Sequence, residues 1–385
     1  MNQRTGLLLS AVLATIGVIG AVALFVKGHG AMGTTHQFPW GIFISAYVYF
    51  VLIGSGLCLI SSLGCVFGIE PFTVITRRAV VLALITLMAG FLIMGLETPQ
   101  PLHMIYMLFS PNFSAAIFWM GSLYGVYLLF LVGEFWYLVL KNDPAKAHRF
   151  GIFAFFTALA ASSNLGAVFG FLHTRPYWEG AYMPVYFILT ALLSGAAALI
   201  ILYYLIEDKE SDSPILPATA KLMALFLAVT LFFQTWKILT GLYGNIPGKA
   251  EASAALLFGP YALTFWGMEI GAGLIAPLIL LLVKRTRTAM FYAAILSMTG
   301  IFFMRYNLVV AGQVVPLEVL DQSPLPVSYL TYSPSWVELS VVCLGFGFVG
   351  LAYLMAEKRL NLGQTDRIQR TDEKFSTAQE APSAQ

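Results

Sequence analysis

The chain has 385 residues, 59% of them hydrophobic and only 10% charged, with a mean hydropathy of +0.81 and 30 phenylalanines. That profile excludes an ordinary soluble globular domain, and a formal charge of +2 with no basic run outside the helix flanks excludes a nucleic-acid partner. In hydrocarbon every backbone amide must be satisfied within the chain, so apolar runs of about 20 residues must be helices, and the expected fold class is an all-α polytopic integral membrane protein.

In chain order the apolar runs fall at 7–26, 39–67, 79–97, 113–140, 150–172, 183–206, 220–241, 260–283, 289–310 and 335–356, predicting about ten transmembrane helices. The first has Arg4 before it and "AVA" near its end, as a signal peptide would, but its length fits a span and we read it as an anchor. Alternate connections hold Arg4; Arg77 and Arg78; Lys141, Lys146 and Arg149; Lys209 and Lys221; Lys284, Arg285 and Arg287; and Lys358 and Arg359. The opposite connections hold only Lys27, Arg175 and Lys249. The positive-inside rule therefore predicts both termini in the cytoplasm, the expected location being the cell inner (cytoplasmic) membrane. On the outer face, segments 98–112, 242–259 and 311–334 are long, rich in Pro and Gly, and suited to docking. The polar tail 360–385 is expected to be disordered.

A weak repeat pairs "FPWGIFISA" (38–46) with "MPVYFILTA" (183–191), and "IFWMG" (117–121) with "TFWGM" (264–268). It predicts two related four-helix bundles plus two flanking helices: 1–38 the N-terminal helix and outer loop, 39–172 the first bundle, 173–310 the second, and 311–359 the outer loop and last helix. The pairs Gly121/Gly125, Gly166/Gly170 and Gly267/Gly271 suit close helix packing.

Cys58, Cys65 and Cys343 lack CxxC or CxxCH spacing and are expected to be buried thiols, with no metal cluster. His29, His36, His103, His148 and His173 all fall at helix ends or in loops, so no mid-membrane pair is available for haem. The informative residues are Glu97, Glu134, Glu269, Arg305 and Glu338, with Lys237 near an outer boundary, because a charge at mid-bilayer costs about 2.5–3.5 kcal/mol. Arg305 lies roughly 24 Å along the ninth helix and Glu269 about 14 Å along the eighth, depths that allow Arg305 to pair with Glu269 or Glu338. Such a pair either locks helices together or lines a polar cavity for protons. Glu134, seven residues from Lys141, is expected as a solvated boundary carboxylate or a relay; Glu97, before "TPQP", as a helix-end anchor or a proton carrier. Trp40, Trp119, Trp178, Trp266 and Trp336 fall near outer helix ends, as an interfacial belt would, and such rings clustered at an opening would clasp a quinone.

Together "FPWGIFISAYVYFVLIGSG", "LETPQPLHMIYMLFSPNFSAAIFWMG", "RPYW", "FWGMEIGAGLIAPLILLL", "RYNLVVAGQ" and "SPSWVELSV" resemble the NrfD-type family, the membrane subunits of polysulphide reductase and related complexes. The likeness is greatest to its ten-helix branch, with hydrogenase and sulphite-reductase-associated members. The resemblance implies a subunit with no haem or metal cluster that handles menaquinone or ubiquinone as an exchangeable substrate. It also implies an iron-sulphur electron-transfer subunit on the outer face, with a catalytic subunit (a molybdopterin enzyme, hydrogenase or other) or a multihaem cytochrome beyond it. The quinone site would lie near the outer face of the first bundle. Asn164, counted back from Arg175, stands where the family commonly has Tyr or His, beside Ser162 and Ser163, and Gln100 and His103 stand where many members have arginine. An amide positions a quinone but does not donate a proton at useful pKa, so Tyr49 or Tyr47 becomes the expected partner, with Trp40 nearby and Glu97 the proton carrier.

The expected function is thus a quinone-interacting membrane subunit of a respiratory oxidoreductase, with Glu97, Glu269 and Arg305 as chemically active groups and a proton path over Glu97, Glu134, Glu269, Arg305 and Glu338. The competing classes are a secondary transporter, against which no helix is clearly broken at mid-membrane, and a purely structural anchor.

Overall fold

The computed structural model describes residues 3–206, 214–317, 329–360 and 362. Lys209, the middle of the 311–334 segment and the tail beyond Leu362 lie outside the described residues. Among the described residues ten helices are long and apolar enough to cross a membrane: α1 (Gln3–Lys27), α2 (Ile42–Cys65), α3 (Thr76–Glu97), α4 (Ala116–Leu140), α5 (Pro144–Gly170), α6 (Met183–Ile206), α7 (Ile215–Tyr243), α8 (Leu263–Val283), α9 (Arg287–Ala311) and α10 (Trp336–Leu360). A short helix, Lys249–Leu257, precedes α8. The chain is a multi-pass, all-α integral membrane protein.

Helix α5 begins earlier than hydropathy predicts, and the cause is a cap. The Asp143 side chain accepts from Lys146 N at 3.1 Å and Pro144 occupies the first turn, so the polar stretch 144–149 is helical. Two other segments leave the α-helical repeat. The end of α4, Trp136–Leu140, and most of α8, Leu263–Ile275, are π-helical. Such wide turns are rare and concentrate at functional places.

Helices α2 to α5 close a ring, each against the next and α5 back onto α2, and α6 to α9 close a second. The rings meet along α2, which touches both α6 and α9, and α10 leans on α3 while α1 packs on α10. In lipid there is little hydrophobic drive between helices, so close backbone approach has to supply the packing. Gly56 of α2 lies on the backbone of Ala191 and Gly195 in α6, and Gly273 of α8 on Gly300 of α9. Gly17 and Gly20 of α1 meet Leu344 and Ser340, while Gly347 and Gly350 of α10 meet Ala14 and Ser10. Of the glycine pairs expected to do this, Gly166 and Gly170 do lie on neighbouring backbone, at Met183 and Gly180. Gly125 has open space beside it, and Gly271 faces its own helix at Trp266 O, so these are not packing seams.

Hydrogen bonds tie each end of the bundle. At one end Arg77 contacts Asn142 in the α4–α5 turn, and Arg78 pairs with Glu357 of α10 at 2.8 Å. These arginines are buried, so they bind helices together as well as marking topology. The other end, the long-loop face, carries the connections 28–41, 98–115, 171–182 and 244–262 and the described residues 312–317 and 329–335. There Gln313 exchanges two hydrogen bonds with the Trp40 backbone, at 2.9 and 2.8 Å. Arg175 reaches Val315 O and Gln37 O, and the Tyr332 hydroxyl accepts from Ile42 N at 2.9 Å.

The seam between the rings gives a direct prediction. Gly56→Leu sets a branched side chain against the Ala191 carbonyl, and should lower stability in detergent by about 1–3 kcal/mol or more. Thermal unfolding followed by size-exclusion chromatography measures it; Gly125→Leu, beside open space, should leave the melting profile unchanged.

Candidate functional site

The segment "FFMRYNLVVAGQ" is where the polar interior of the second ring begins. Arg305 is fully buried about 9 Å from the long-loop end of α9. Its Nη2 donates to Thr190 Oγ1 of α6 at 2.5 Å, and its guanidinium lies 5.0 Å from the centre of the Phe187 ring. Nε and Nη1 have no partner among the described residues. Asn307, two residues on, donates from Nδ2 to Glu269 Oε2 at 2.7 Å and accepts from Thr264 Oγ1 at 2.8 Å. The other oxygen of Glu269 accepts from Gln234 Nε2 of α7 at 2.7 Å, and Gln234 Oε1 accepts from Tyr186 OH at 3.2 Å. One buried carboxylate thus joins α7, α8 and α9 to α6.

The expected ion pair of Arg305 with Glu269 or Glu338 does not form. Both oxygens of Glu269 are held by carboxamides, and among the described residues no ion pair includes Arg305. Residue counting gives depth along a helix but not the direction a side chain faces, and here the guanidinium turns from α8 toward α6 and the first ring. Glu338 lies elsewhere, fully buried at the start of α10. It accepts from Gly33 N at 2.8 Å, Ser335 N at 2.7 Å and Tyr332 OH at 2.6 Å. Burial and that last bond push the Tyr332 hydroxyl far above its ordinary pKa, so it remains a donor across the physiological range. Glu338 therefore pins the loop 28–41 to α10.

In the first ring, α4 turns one narrow stripe inward: Tyr124, Tyr127, Leu131 and Glu134. Tyr127 OH donates to Gly54 O at 3.0 Å, but Tyr124 OH completes no hydrogen bond, although the hydroxyls of Ser55 and Ser162 and the ring of Tyr47 are its neighbours. Ser162 Oγ, Asn164 Oδ1 and Glu97 Oε2 are likewise buried without partners among the described residues. Glu134 Oε2, nearer the opposite face, is also without a partner there; unpaired buried polar atoms are few in folded proteins, so the group toward the long-loop end points to a missing occupant.

The structure separates other residues that the sequence groups. Tyr47 lies within the electrostatic reach of Tyr124, whereas Tyr49 packs edge-on against Phe302 of α9 and close to Phe346 of α10. Positions two apart in an α-helix point to nearly opposite sides, so the two alternatives, Tyr49 or Tyr47, have different neighbours. Ser163 is half-buried beside Asn164. Trp40 stacks on Trp178 at 5.1 Å and meets Phe169 edge-on at 5.5 Å, and Trp178 Nε1 donates to Leu308 O at 2.6 Å. These two indoles form an internal wall, while Trp119, Trp266 and Trp336 are exposed as a belt requires.

Glu134 is buried, not a solvated boundary carboxylate: it is 2% exposed, and Cys65 Sγ donates to its Oε1 at 3.7 Å. Cys65 and Cys343 are only partly buried, unlike Cys58. The five expected proton-path residues fall in three places: Glu269 with Arg305, Glu97 within the electrostatic reach of Glu338, and Glu134 alone near the opposite face. Among the described residues no three His, Cys, Asp or Glu side chains converge as a metal site would need.

Sequence reasoning missed Tyr124, Thr190 and Gln234. Tyr124 was detectable in principle, since it shares the 3–4–3 stripe that buries Glu134. Thr190 and Gln234 gave no local signal, because only contact with another helix distinguishes them.

Residues 30–317 match the sequence profile of the family described as "Polysulphide reductase, NrfD". Among curated proteins the chain is 26% identical to a subunit of the selenate reductase of Mesobacillus selenatarsenatis, over 89% of this chain and 91% of that one. It is 28% identical to the Hdr-like menaquinol oxidoreductase integral membrane subunit of Archaeoglobus fulgidus, over 89% of each. The integral membrane subunit of a menaquinone reductase from Nitratidesulfovibrio vulgaris is 24% identical over 89% and 88%.

Glu338→Ala leaves three donors without their acceptor and should cost about 3–5 kcal/mol. Limited proteolysis should then cut within 28–41 several-fold faster than in the wild type. Cleavage at an unchanged rate would show that Glu338 does not anchor that loop.

Proposed function

The chain belongs to the polysulphide reductase NrfD family, and on that premise we propose that it is the quinone-interacting integral membrane subunit of a multi-subunit respiratory oxidoreductase. Menaquinone or ubiquinone is its exchangeable substrate. The names of two relatives, a menaquinol oxidoreductase and a menaquinone reductase subunit, support this reading. The observation that carries it is a group of unpartnered buried atoms toward the long-loop end of the first ring: Glu97 Oε2, Tyr124 OH, Ser162 Oγ and Asn164 Oδ1.

These atoms fit a quinone head group by their chemistry. The hydroxyls of Tyr124 and Ser162 can each donate to a carbonyl oxygen, while Asn164, two residues from Ser162 and so on another side of α5, offers Oδ1 as an acceptor for the hydroxyl of the reduced form from a separate position. Glu97 is the proton carrier, at the last residue of α3 and next to the long-loop face. Tyr47 backs Tyr124, Ser163 stands beside Asn164, and the stacked Trp40 and Trp178 wall the mouth. Tyr49 supports the helix from the side facing α9 and α10. When bound, the quinone supplies two-electron, two-proton chemistry, so the chain has only to position it and manage protons.

In this reading the long-loop face is the outer face of an inner (cytoplasmic) membrane, and both termini are cytoplasmic. An iron-sulphur subunit docks on that face and exchanges electrons with the quinone, with a catalytic subunit beyond it. The relatives named as parts of a selenate reductase and of a polysulfide reductase support a catalytic partner. The Glu269–Arg305 group then serves proton movement: two guanidinium nitrogens lacking a protein partner suit a buried water.

The test is quinone-analogue binding to the purified complex. Tyr124→Phe and Asn164→Leu should each weaken binding about 5–20-fold, as expected for loss of one hydrogen bond worth about 1–2 kcal/mol. Glu97→Gln should instead slow turnover with little change in affinity. A wild-type complex that binds no quinone, or full affinity in both Tyr124→Phe and Asn164→Leu, would sink the proposal and leave a structural anchor.

A further inference from the structure

Lys237 has no place in the quinone site, yet it is 7% exposed, six residues and about 9 Å inside the long-loop end of α7. A lysine buried in a membrane protein normally finds a carboxylate or carbonyls. This one makes no ion pair among the described residues. Its Nζ rests on two aromatic faces, 4.3 Å from the centre of the Tyr177 ring and 5.7 Å from that of Tyr186. An aromatic cage holds an ammonium without fixing its protons in hydrogen bonds, which leaves them free to move.

Both ring contacts lead somewhere. Tyr177 lines a small cavity, with room for about one water, between the 171–182 and 312–317 connections on the long-loop face, with Arg175, Gly312, Val315 and Leu317. Tyr186 donates from its hydroxyl to Gln234 Oε1, and Gln234 Nε2 donates to Glu269. Gln234 is also one turn before Lys237 on α7. The lysine is therefore placed between a cavity at the surface and the buried carboxylate. The charges around it come from Glu269 of α8, Lys249 of the short helix and Arg305 of α9, with Tyr177, Tyr182 and Tyr186 as the neighbouring hydroxyl-bearing rings. Lys249 is itself turned toward Glu179 O at 3.5 Å.

We propose that Lys237 is the proton-exchanging group between Glu269 and the cavity at the long-loop face, and so the second ring's own opening to that side. In one direction the ammonium gives a proton to water in the cavity, an N–H bond breaking as an O–H bond forms. The resulting amine then takes a proton from the Glu269 carboxyl, directly or through one water, which restores the ammonium and leaves the carboxylate. The reverse order carries a proton inward. The inference rests on the proton role proposed above for the Glu269–Arg305 group.

The test compares three substitutions in the intact complex, in proteoliposomes, with a menaquinol analogue as substrate and both quinone binding and turnover recorded. Lys237→Met should retain analogue affinity within about twofold and lower turnover at least tenfold. Lys237→Arg keeps the charge and the ring contacts but cannot release a proton at useful rates, so it should be as slow as Lys237→Met. Lys237→His should recover part of the rate. Full turnover in Lys237→Arg would overturn the proposal by reducing the lysine to a fixed cation, as would full turnover in Lys237→Met. If Lys237→Met fails to assemble, Glu269→Gln takes its place; it leaves the lysine but removes the carboxyl that it exchanges with and should give the same loss, and a full rate there overturns the route. A wild-type complex that neither binds nor oxidises the analogue overturns the quinone reading instead, so the two failures are distinguishable.

Discussion

A polar atom left without a partner in hydrocarbon costs several kcal/mol, and that penalty governs the arrangement of this protein. The backbone answers it with ten helices. Side chains answer it more selectively: Glu269 is enclosed by two carboxamides, and Glu338 by two backbone amides and a tyrosine hydroxyl. The penalty is left standing at, among others, Tyr124, Ser162, Asn164, Glu97, Glu134 and two nitrogens of Arg305, atoms that a ligand or water would satisfy. The same physical rule thus explains both the rigid parts and the incomplete ones.

The two rings use their polar interiors differently although they share a plan. Asn164 in "SSNL" and Asn307 in "RYNL" occupy similar places near the long-loop ends of α5 and α9. Asn307 uses both ends of its carboxamide to bind Glu269 and Thr264, while Asn164 has a free carbonyl oxygen. The second ring has therefore satisfied its carboxylate with its own side chains, though not the Arg305 guanidinium beside it. Arg305 connects the two, since it belongs to the second ring but reaches Thr190 on α6, the helix pressed against α2 through Gly56 and Gly195.

Rigidity at the long-loop face follows from a small number of distant contacts. Gln313 holds the Trp40 backbone, Trp178 holds Leu308, and Glu338 with Tyr332 holds Gly33 and Ile42. These bonds join α9, α10 and the α5–α6 connection to the strap before α2. A docking partner would meet a face already fixed in shape, and such preorganisation lowers the entropy cost of association.

Much of this was available from the chain alone. Apolar length determines ten spans, because hydrocarbon thickness and backbone pairing admit no other solution, and the rarity of charge singles out Glu97, Glu134, Glu269, Arg305 and Glu338 as buried or functional. The repeat in "FPWGIFISA" and "MPVYFILTA" likewise anticipates two rings of helices. Partners were not available in that way. Whether Arg305 meets Glu269 or Thr190, whether Tyr47 or Tyr49 lies within reach of Tyr124, and whether Glu134 is wet or dry depend on how each helix is rotated about its axis. That rotation is set by glycine contacts such as Gly56 on Ala191 and Gly273 on Gly300, and by the π-helical course of α8, which shifts every side chain beyond Leu263 from its α-helical bearing. Depth in the membrane is a property of position along one helix, but facing is a property of two, so only the tertiary structure decided which charges meet.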